Sequence, residues 1–127
     1  MTKRLLVVDD ALIIREIIKD AMINAGWEIV GEATNGQEAI DQYELLQPDA
    51  VTLDLVMPEY DGLHALQGIL EVDPDAKVVV VSALDQKNIL KQAFHIGATD
   101  FVVKPFNNGA LVQTLETLFA DSNVTQA

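Results

Sequence analysis

The sequence has no cysteine and no long hydrophobic run. The lack of cysteine excludes disulfides and thiolate metal sites, although it leaves the redox compartment undecided. The first apolar run, Leu5 to Val8, is too short for a signal peptide, and the run Val78 to Val81 is far too short to span a bilayer. We therefore expect a cytoplasmic protein that does not insert into a membrane.

Basic residues are scarce: eight lysines and arginines face twenty acidic residues, giving a formal charge of −12. Such a surface repels phosphate backbones, so direct nucleic-acid binding is not expected. It also disfavours anionic membranes, whereas cations and basic partner surfaces are attracted. With 127 residues, half of them hydrophobic, the chain suits one domain, which we place at residues 1–120 ahead of a short polar tail at 121–127.

Short apolar runs alternate with longer amphipathic stretches, and this alternation predicts the fold class. Strands are predicted at 5–8, 27–30, 50–53, 78–81 and 101–103, each followed by a helix. Asp10 is predicted to cap the first helix, and Thr34 with Gln37 to form a capping box at the second. The pattern predicts an α/β domain, a doubly wound parallel sheet of five strands with five helices on its two faces.

Polar side chains follow four of the five predicted strands at their carboxyl ends. They are Asp9 and Asp10, Asp54, Ser82 and Lys104. In open parallel sheets the ligand site lies beyond these ends, where the strand order reverses. The order 2-1-3-4-5 is common in such sheets, though this sequence does not dictate it. In that order strands one, three and four are neighbours, and the three carboxylates converge.

Those residue types together suit phosphoryl transfer. Three carboxylates in one crevice repel one another unless a cation shares the site. An all-oxygen site with few protein ligands suits Mg2+, and a carboxylate can itself be a nucleophile that forms an aspartyl phosphate. A lysine would neutralise phosphoryl oxygens and a serine hydroxyl could donate to them, so catalysis would come from positioning and charge stabilisation.

Several motifs in sequence order resemble those of the receiver domains of two-component response regulators, most closely the single-domain chemotaxis type. They are Val7-Val8-Asp9-Asp10, Asp54-Leu55-Val56-Met57-Pro58, Asp61-Gly62, Val81-Ser82-Ala83, Gly97-Ala98-Thr99-Asp100-Phe101 and Lys104-Pro105-Phe106. The match runs from about Lys3 to Phe119. The resemblance implies a flavodoxin-like (CheY-like) fold with the strand order 2-1-3-4-5.

The resemblance also implies roles at the predicted site. Asp54 would be the phosphoacceptor, attacking a phosphohistidine on a partner sensor histidine kinase. Mg2+ would be ligated directly by Asp10 and Asp54, through water by Asp9, and by the backbone carbonyl of Val56.

Further implied roles concern the phosphoryl group and the switch. Lys104 would pair with the phosphoryl group and would precede Pro105 through a cis peptide bond. Ser82 would move to donate a hydrogen bond to the phosphoryl group. Phe101 would then swing inward into the vacated space, although it lacks the hydroxyl of a tyrosine at this switch position.

Two positions that flank the phosphoryl site in the family are apolar here, Val56 and Leu84. Neither side chain can orient an attacking water by hydrogen bonding. We therefore predict a long-lived phosphoryl state.

We interpret the chain as a phosphorylation-switched binding module rather than an enzyme, most simply a stand-alone chemotaxis regulator. We expect a monomer, and a phosphorylation-dependent dimer is left open. The sequence does not identify the downstream target. A phosphorelay intermediate, or the receiver half of a longer transcriptional regulator, is the alternative; the lack of basic residues from Asn107 to Phe119 favours the stand-alone form. A phosphohydrolase of the haloacid dehalogenase type would want an acid where Val56 stands. An FMN-binding electron carrier would want a phosphate loop in place of Asp9 and Asp10.

Overall fold

The computed structural model describes residues 2–58, 61–83 and 85–119. Its strands are β1 Arg4–Val8, β2 Glu28–Ala33, β3 Ala50–Asp54, β4 Val78–Ala83 and β5 Asp100–Lys104. Its helices are α1 Leu12–Asn24, α2 Gly36–Leu46, α3 Asp61–Val72, α4 Lys87–Ile96 and α5 Asn108–Thr117. The proposed tail at 121–127 and Leu84 lie outside the described residues. Within the described part of the chain, no helix is long and apolar enough to cross a membrane.

The five strands form one parallel sheet in the order β2-β1-β3-β4-β5, which confirms the predicted fold class and order. Strands β1, β3 and β4 are central and nearly all of their residues are buried, as the unbroken apolar runs predicted. Strand β2 lies at one edge of the sheet and does not pair with β3, the strand that carries Asp54.

The central strands alternate between two separate hydrophobic clusters, one on each face of the sheet. Val78 and Val80 of β4 belong to the cluster that packs against α2, α3 and α4. Val79 belongs to the cluster that packs against α1 and α5. Because strand side chains alternate, each face of β4 contributes to a different core.

The predicted cap of α1 was wrong. Asp10 is exposed, and the carboxylate that accepts from the backbone before the helix is that of Asp9, whose Oδ1 lies 2.9 Å from the Ala11 N. Asp9 is buried at the end of β1, so its carboxylate is positioned to turn back over the following residues. The N-cap residue of α1 is Ala11, and the structure shows no side-chain hydrogen bond that caps it. Asp9 therefore holds the residue before the helix and does not cap its first turn.

The predicted capping box of α2 was displaced by one residue. Asn35 is the cap: its side-chain oxygen accepts from the Glu38 N at 2.9 Å. Glu38 returns the interaction, since its Oε1 accepts from the backbone N and the hydroxyl of Thr34 at 2.8 and 2.9 Å. Asparagine is at least as good an N-cap as threonine, and a carboxylate accepts more strongly than the amide of Gln37.

Candidate functional site

Three aspartates meet at the carboxyl edge of the central strands. Asp9 follows β1 and Asp54 ends β3, and both are almost completely buried, with 1% and 4% of their surface exposed. Asp10 is exposed at the rim. One carboxylate oxygen from each residue lies within 4.8 Å of the others. The structure therefore brings together the three carboxylates that the sequence predicted to converge.

Lys104, at the end of β5, faces this cluster. Its Nζ lies 3.2 Å from Asp9 Oδ2 and 3.5 Å from Asp54 Oδ1. The lysine reaches past β4, which separates β5 from β3 in the sheet. The peptide bond between Lys104 and Pro105 is cis, as the resemblance implied. A single ammonium thus bridges the two buried carboxylates.

The electrostatic balance of the site is unfavourable to a charged Asp54. Burial, together with repulsion from the neighbouring Asp9 carboxylate, raises the pKa of Asp54 to about 6. The Lys104 ammonium and the Val56 N–H, which donates to Asp54 Oδ1 at 3.1 Å, act in the opposite direction. One lysine against three carboxylates leaves an excess of negative charge. This oxygen-only donor set fits a hard divalent cation such as Mg2+.

Gly62 fixes the loop that follows the nucleophile candidate. A Cβ atom at this position would lie 2.4 Å from the Cα and carbonyl oxygen of Leu55 and 2.6 Å from the carbonyl oxygen of Asp54. The start of α3 therefore packs directly against the backbone of the loop. Only glycine allows this approach, which holds the end of β3 in place.

Arg15 supports the acidic end of β1, a role that the sequence reasoning missed. Its Nη1 donates to the backbone carbonyl of Asp9 at 2.8 Å, and its Nε pairs with Glu32 Oε1 at 2.9 Å. Lys19 binds the other oxygen of Glu32 at 2.8 Å. The guanidinium can serve two acceptors at once. Its partners lie 6 and 17 residues away in the sequence, so no local motif marks them.

The two predicted switch residues differ in burial. Ser82 is buried, and its hydroxyl lies 3.1 Å from Gln86 Oε1 and 3.3 Å from the Ala83 carbonyl. Phe101 is 40% exposed, and its ring packs edge-to-face on Phe94 with centroids 5.8 Å apart. Phe101 is therefore not a buried core residue in this structure. Gln86 was not predicted, although glutamine is an unusual residue just before a helix.

The comparisons with known proteins agree with this geometry. Residues 5–116 match the response regulator receiver domain family. The chain is 47% identical over 115 residues to the chemotaxis protein CheY of Thermotoga maritima, covering 91% of this chain and 96% of that protein. It is 41% identical over 115 residues to the chemotaxis protein CheY of Bacillus subtilis, with the same coverage of both chains. A solved structure of a CheX–CheY–BeF3–Mg2+ complex from Borrelia burgdorferi superimposes with a TM-score of 0.86 at 32% identity, covering 92% of this chain and 89% of that one.

The chain belongs to the response regulator receiver domain family. This is a signalling family whose members take a phosphoryl group from a histidine kinase and convey that state to a target. The receiver interpretation is thereby confirmed over the phosphohydrolase and the FMN carrier. The acidic pocket expected of a receiver is present in the structure.

Proposed function

We propose that Asp54 accepts a phosphoryl group from the phosphohistidine of a sensor histidine kinase. The observation that carries this is the buried Asp54 carboxylate, held beside Asp9, Asp10 and the Lys104 ammonium at the carboxyl edge of the sheet. A carboxylate oxygen of Asp54 forms the new P–O bond while the P–N bond of the donor breaks, and the leaving imidazole keeps that electron pair. Lys104 supplies positive charge to the transferred oxygens.

Asp9, Asp10, Asp54 and the backbone carbonyl of Val56 would hold the Mg2+ that the reaction needs. The ion supplies charge neutralisation for the incoming phosphoryl oxygens. The Borrelia burgdorferi CheY complex with beryllofluoride and magnesium, which is similar to this chain, supports that assignment. So does the excess of negative charge among the three carboxylates.

The output would be a surface change read by a downstream protein. Ser82 would turn to the phosphoryl group, and Phe101, now partly exposed on Phe94, would move inward. Relatives among the chemotaxis proteins favour a chemotaxis-type regulator, because the alignment spans 96% of their length. A phosphorelay intermediate, or the receiver of a longer transcriptional regulator, remains the second candidate. In its favour, this chain also superimposes on part of a longer protein, the solved structure of NtrX from Brucella abortus, of which it covers 28%.

Intact mass after incubation with acetyl phosphate and Mg2+ tests the proposal. One added phosphoryl group is expected on the wild-type chain and on Asp20→Asn, an exposed aspartate of α1 that serves as the matched control. Asp54→Asn and an EDTA-treated sample should gain none. An adduct on Asp54→Asn would move the phosphoacceptor elsewhere and refute the assignment.

Rapid hydrolysis could hide a genuine adduct, so beryllofluoride binding by the same samples is the second measurement. Binding by the wild-type chain with no surviving adduct would mean fast dephosphorylation. Failure of both would leave a receiver domain that works through a constant surface, and the phosphotransfer proposal would be wrong.

The phosphoryl state should be long-lived because Val56 is apolar. Its side chain is partly exposed next to Asp54, where a polar group could orient an attacking water. Val56→Asn, alone and with Leu84→Glu, should accelerate loss of the phosphoryl group. Unchanged dephosphorylation rates in both variants would refute this explanation.

A further inference from the structure

The side chain of Gln86 folds back onto the end of β4. Gln86 precedes α4, yet its side chain makes no hydrogen bond to the first turn of that helix. Its Oε1 instead accepts from the Ala83 N at 2.9 Å and from the Ser82 hydroxyl at 3.1 Å. The backbone N of Gln86 also donates to the Ala83 carbonyl at 3.1 Å. This one side chain therefore ties the start of α4 to the strand end that carries Ser82.

The Ser82 hydroxyl is engaged on the side of the sheet opposite Asp54. Asp54 is paired in register with Val81, so those two side chains share a face. Ser82 follows directly and alternates to the other face, with Val80 and the cluster against α2, α3 and α4. A serine hydroxyl has only one proton to donate. Two acceptors lie within reach of that proton, Gln86 Oε1 at 3.1 Å and the Ala83 carbonyl at 3.3 Å, and the shorter contact is the one to Gln86. While the proton points to Gln86, it is not available to a group on Asp54.

We propose that Gln86 is a positioning residue that competes with the phosphoryl group for the Ser82 hydroxyl. In the unphosphorylated chain the glutamine amide holds the hydroxyl away from Asp54. Phosphorylation must break that hydrogen bond before Ser82 can donate to a phosphoryl oxygen. The inference rests on the proposed function, since it requires a phosphoryl group on Asp54.

The competition opposes the phosphorylated arrangement, in which Ser82 donates to the phosphoryl group. It therefore lowers the affinity of the site for a phosphoryl mimic. Each affinity measured for such a mimic includes the free energy of breaking the Ser82–Gln86 contact. Both partners are buried or partly buried, so no water shell compensates fully for its loss. Removal of the acceptor at position 86 should therefore strengthen binding of the mimic, not weaken it.

The test is beryllofluoride affinity in saturating Mg2+ for the full chain and its variants. Gln86→Met keeps the length of the side chain and removes the carbonyl acceptor. It should bind beryllofluoride roughly fivefold more tightly than the wild-type chain, the factor expected for one neutral hydrogen bond. Gln92→Met, the same substitution at an exposed position of α4, is the matched control and should leave the affinity unchanged.

A double-mutant cycle with Ser82→Ala separates competition from a general loosening of the loop. In the Ser82→Ala background there is no hydroxyl to release, so Gln86→Met should change the affinity less than about twofold. An equal gain in both backgrounds would overturn the inference, because the effect would not pass through Ser82. Unchanged or weaker binding by Gln86→Met would overturn it as well.

The outcomes also separate this inference from the proposed function. If the wild-type chain neither gains a phosphoryl group nor binds beryllofluoride, phosphotransfer to Asp54 is refuted and the competition falls with it. If the wild-type chain binds and Gln86→Met matches it, only the role of Gln86 is refuted.

Discussion

Replacement of Asp54 by asparagine should stabilise the protein when no cation is present. The Asp54 carboxylate has an ordinary pKa of 3.8 and a pKa of about 6 in the folded chain, mainly because burial disfavours its charge. That difference corresponds to about 3 kcal/mol of destabilisation once the group is ionised. Asparagine removes the charge and keeps an oxygen that can accept from the Val56 N–H. We expect Asp54→Asn to raise the free energy of unfolding by about 2 to 3 kcal/mol near pH 7.5.

The pH dependence gives the sign check. A carboxyl whose pKa is raised on folding favours the folded state below its unfolded pKa, and this contribution is lost as the pH rises through the folded pKa. The wild-type chain should therefore lose stability relative to Asp54→Asn from about pH 4, with the difference levelling off above about pH 7. At or below about pH 4 the two proteins should differ little.

Urea unfolding in EDTA across this pH range measures the effect, with Asp20→Asn reporting the removal of one exposed negative charge. The control matters because any lost negative charge relieves repulsion in a chain of net charge −12. A gain for Asp54→Asn no larger than that of the control at pH 7.5 would refute the reasoning. So would a difference that shrinks as the pH rises.

Three further outcomes are expected. Mg2+ at about 100 times its Kd should add about 2.7 kcal/mol to the free energy of unfolding of the wild-type chain and much less to that of Asp54→Asn. Equal stabilisation of the two proteins by Mg2+ in a thermal-shift titration would count against the metal site. Gly62→Ala should cost about 1 to 3 kcal/mol, because its Cβ would meet the Leu55 backbone, whereas Gly109→Ala, with 3.4 Å of clearance, should be neutral or stabilising in urea unfolding. Thr52→Val should stabilise by about 1 kcal/mol, since the buried Thr52 hydroxyl has no hydrogen-bond partner among the described residues; a loss of stability would indicate a bound water there.

The strands and the acidic edge could be predicted from the sequence because both depend on local patterns. Four-residue apolar runs that end in a polar residue mark buried strands, and parallel strands place those polar residues at one edge of the sheet. Asp9, Asp54 and Lys104 followed from that rule alone. The strand order did not follow from it, because the hydrophobic pattern indicates which segments are strands but not which strands are neighbours in the sheet.

The finer contacts escaped prediction because they depend on competition among nearby side chains. Asp10 was expected to cap α1, but it is exposed, and the N-cap residue Ala11 has no side-chain cap hydrogen bond. Asn35 outcompetes Thr34 as the cap of α2 by a small difference in preference. The hydrogen bond from Ser82 to Gln86 depends on the conformation of the loop between β4 and α4, which no periodic pattern predicts.

The sheet is a partition between two independently packed interiors, with α1 and α5 on one side and the other helices across it. Because the two interiors share only the backbone of the partition, residues on one side can be substituted without repacking those on the other. A lineage could therefore change the outward-facing residues of α1 and α5, and so acquire a different binding partner, as long as it keeps Arg15, which holds the backbone carbonyl of Asp9. Chimeras that graft these outward-facing residues between relatives and keep Arg15 are a route to regulators with new partners and unchanged chemistry.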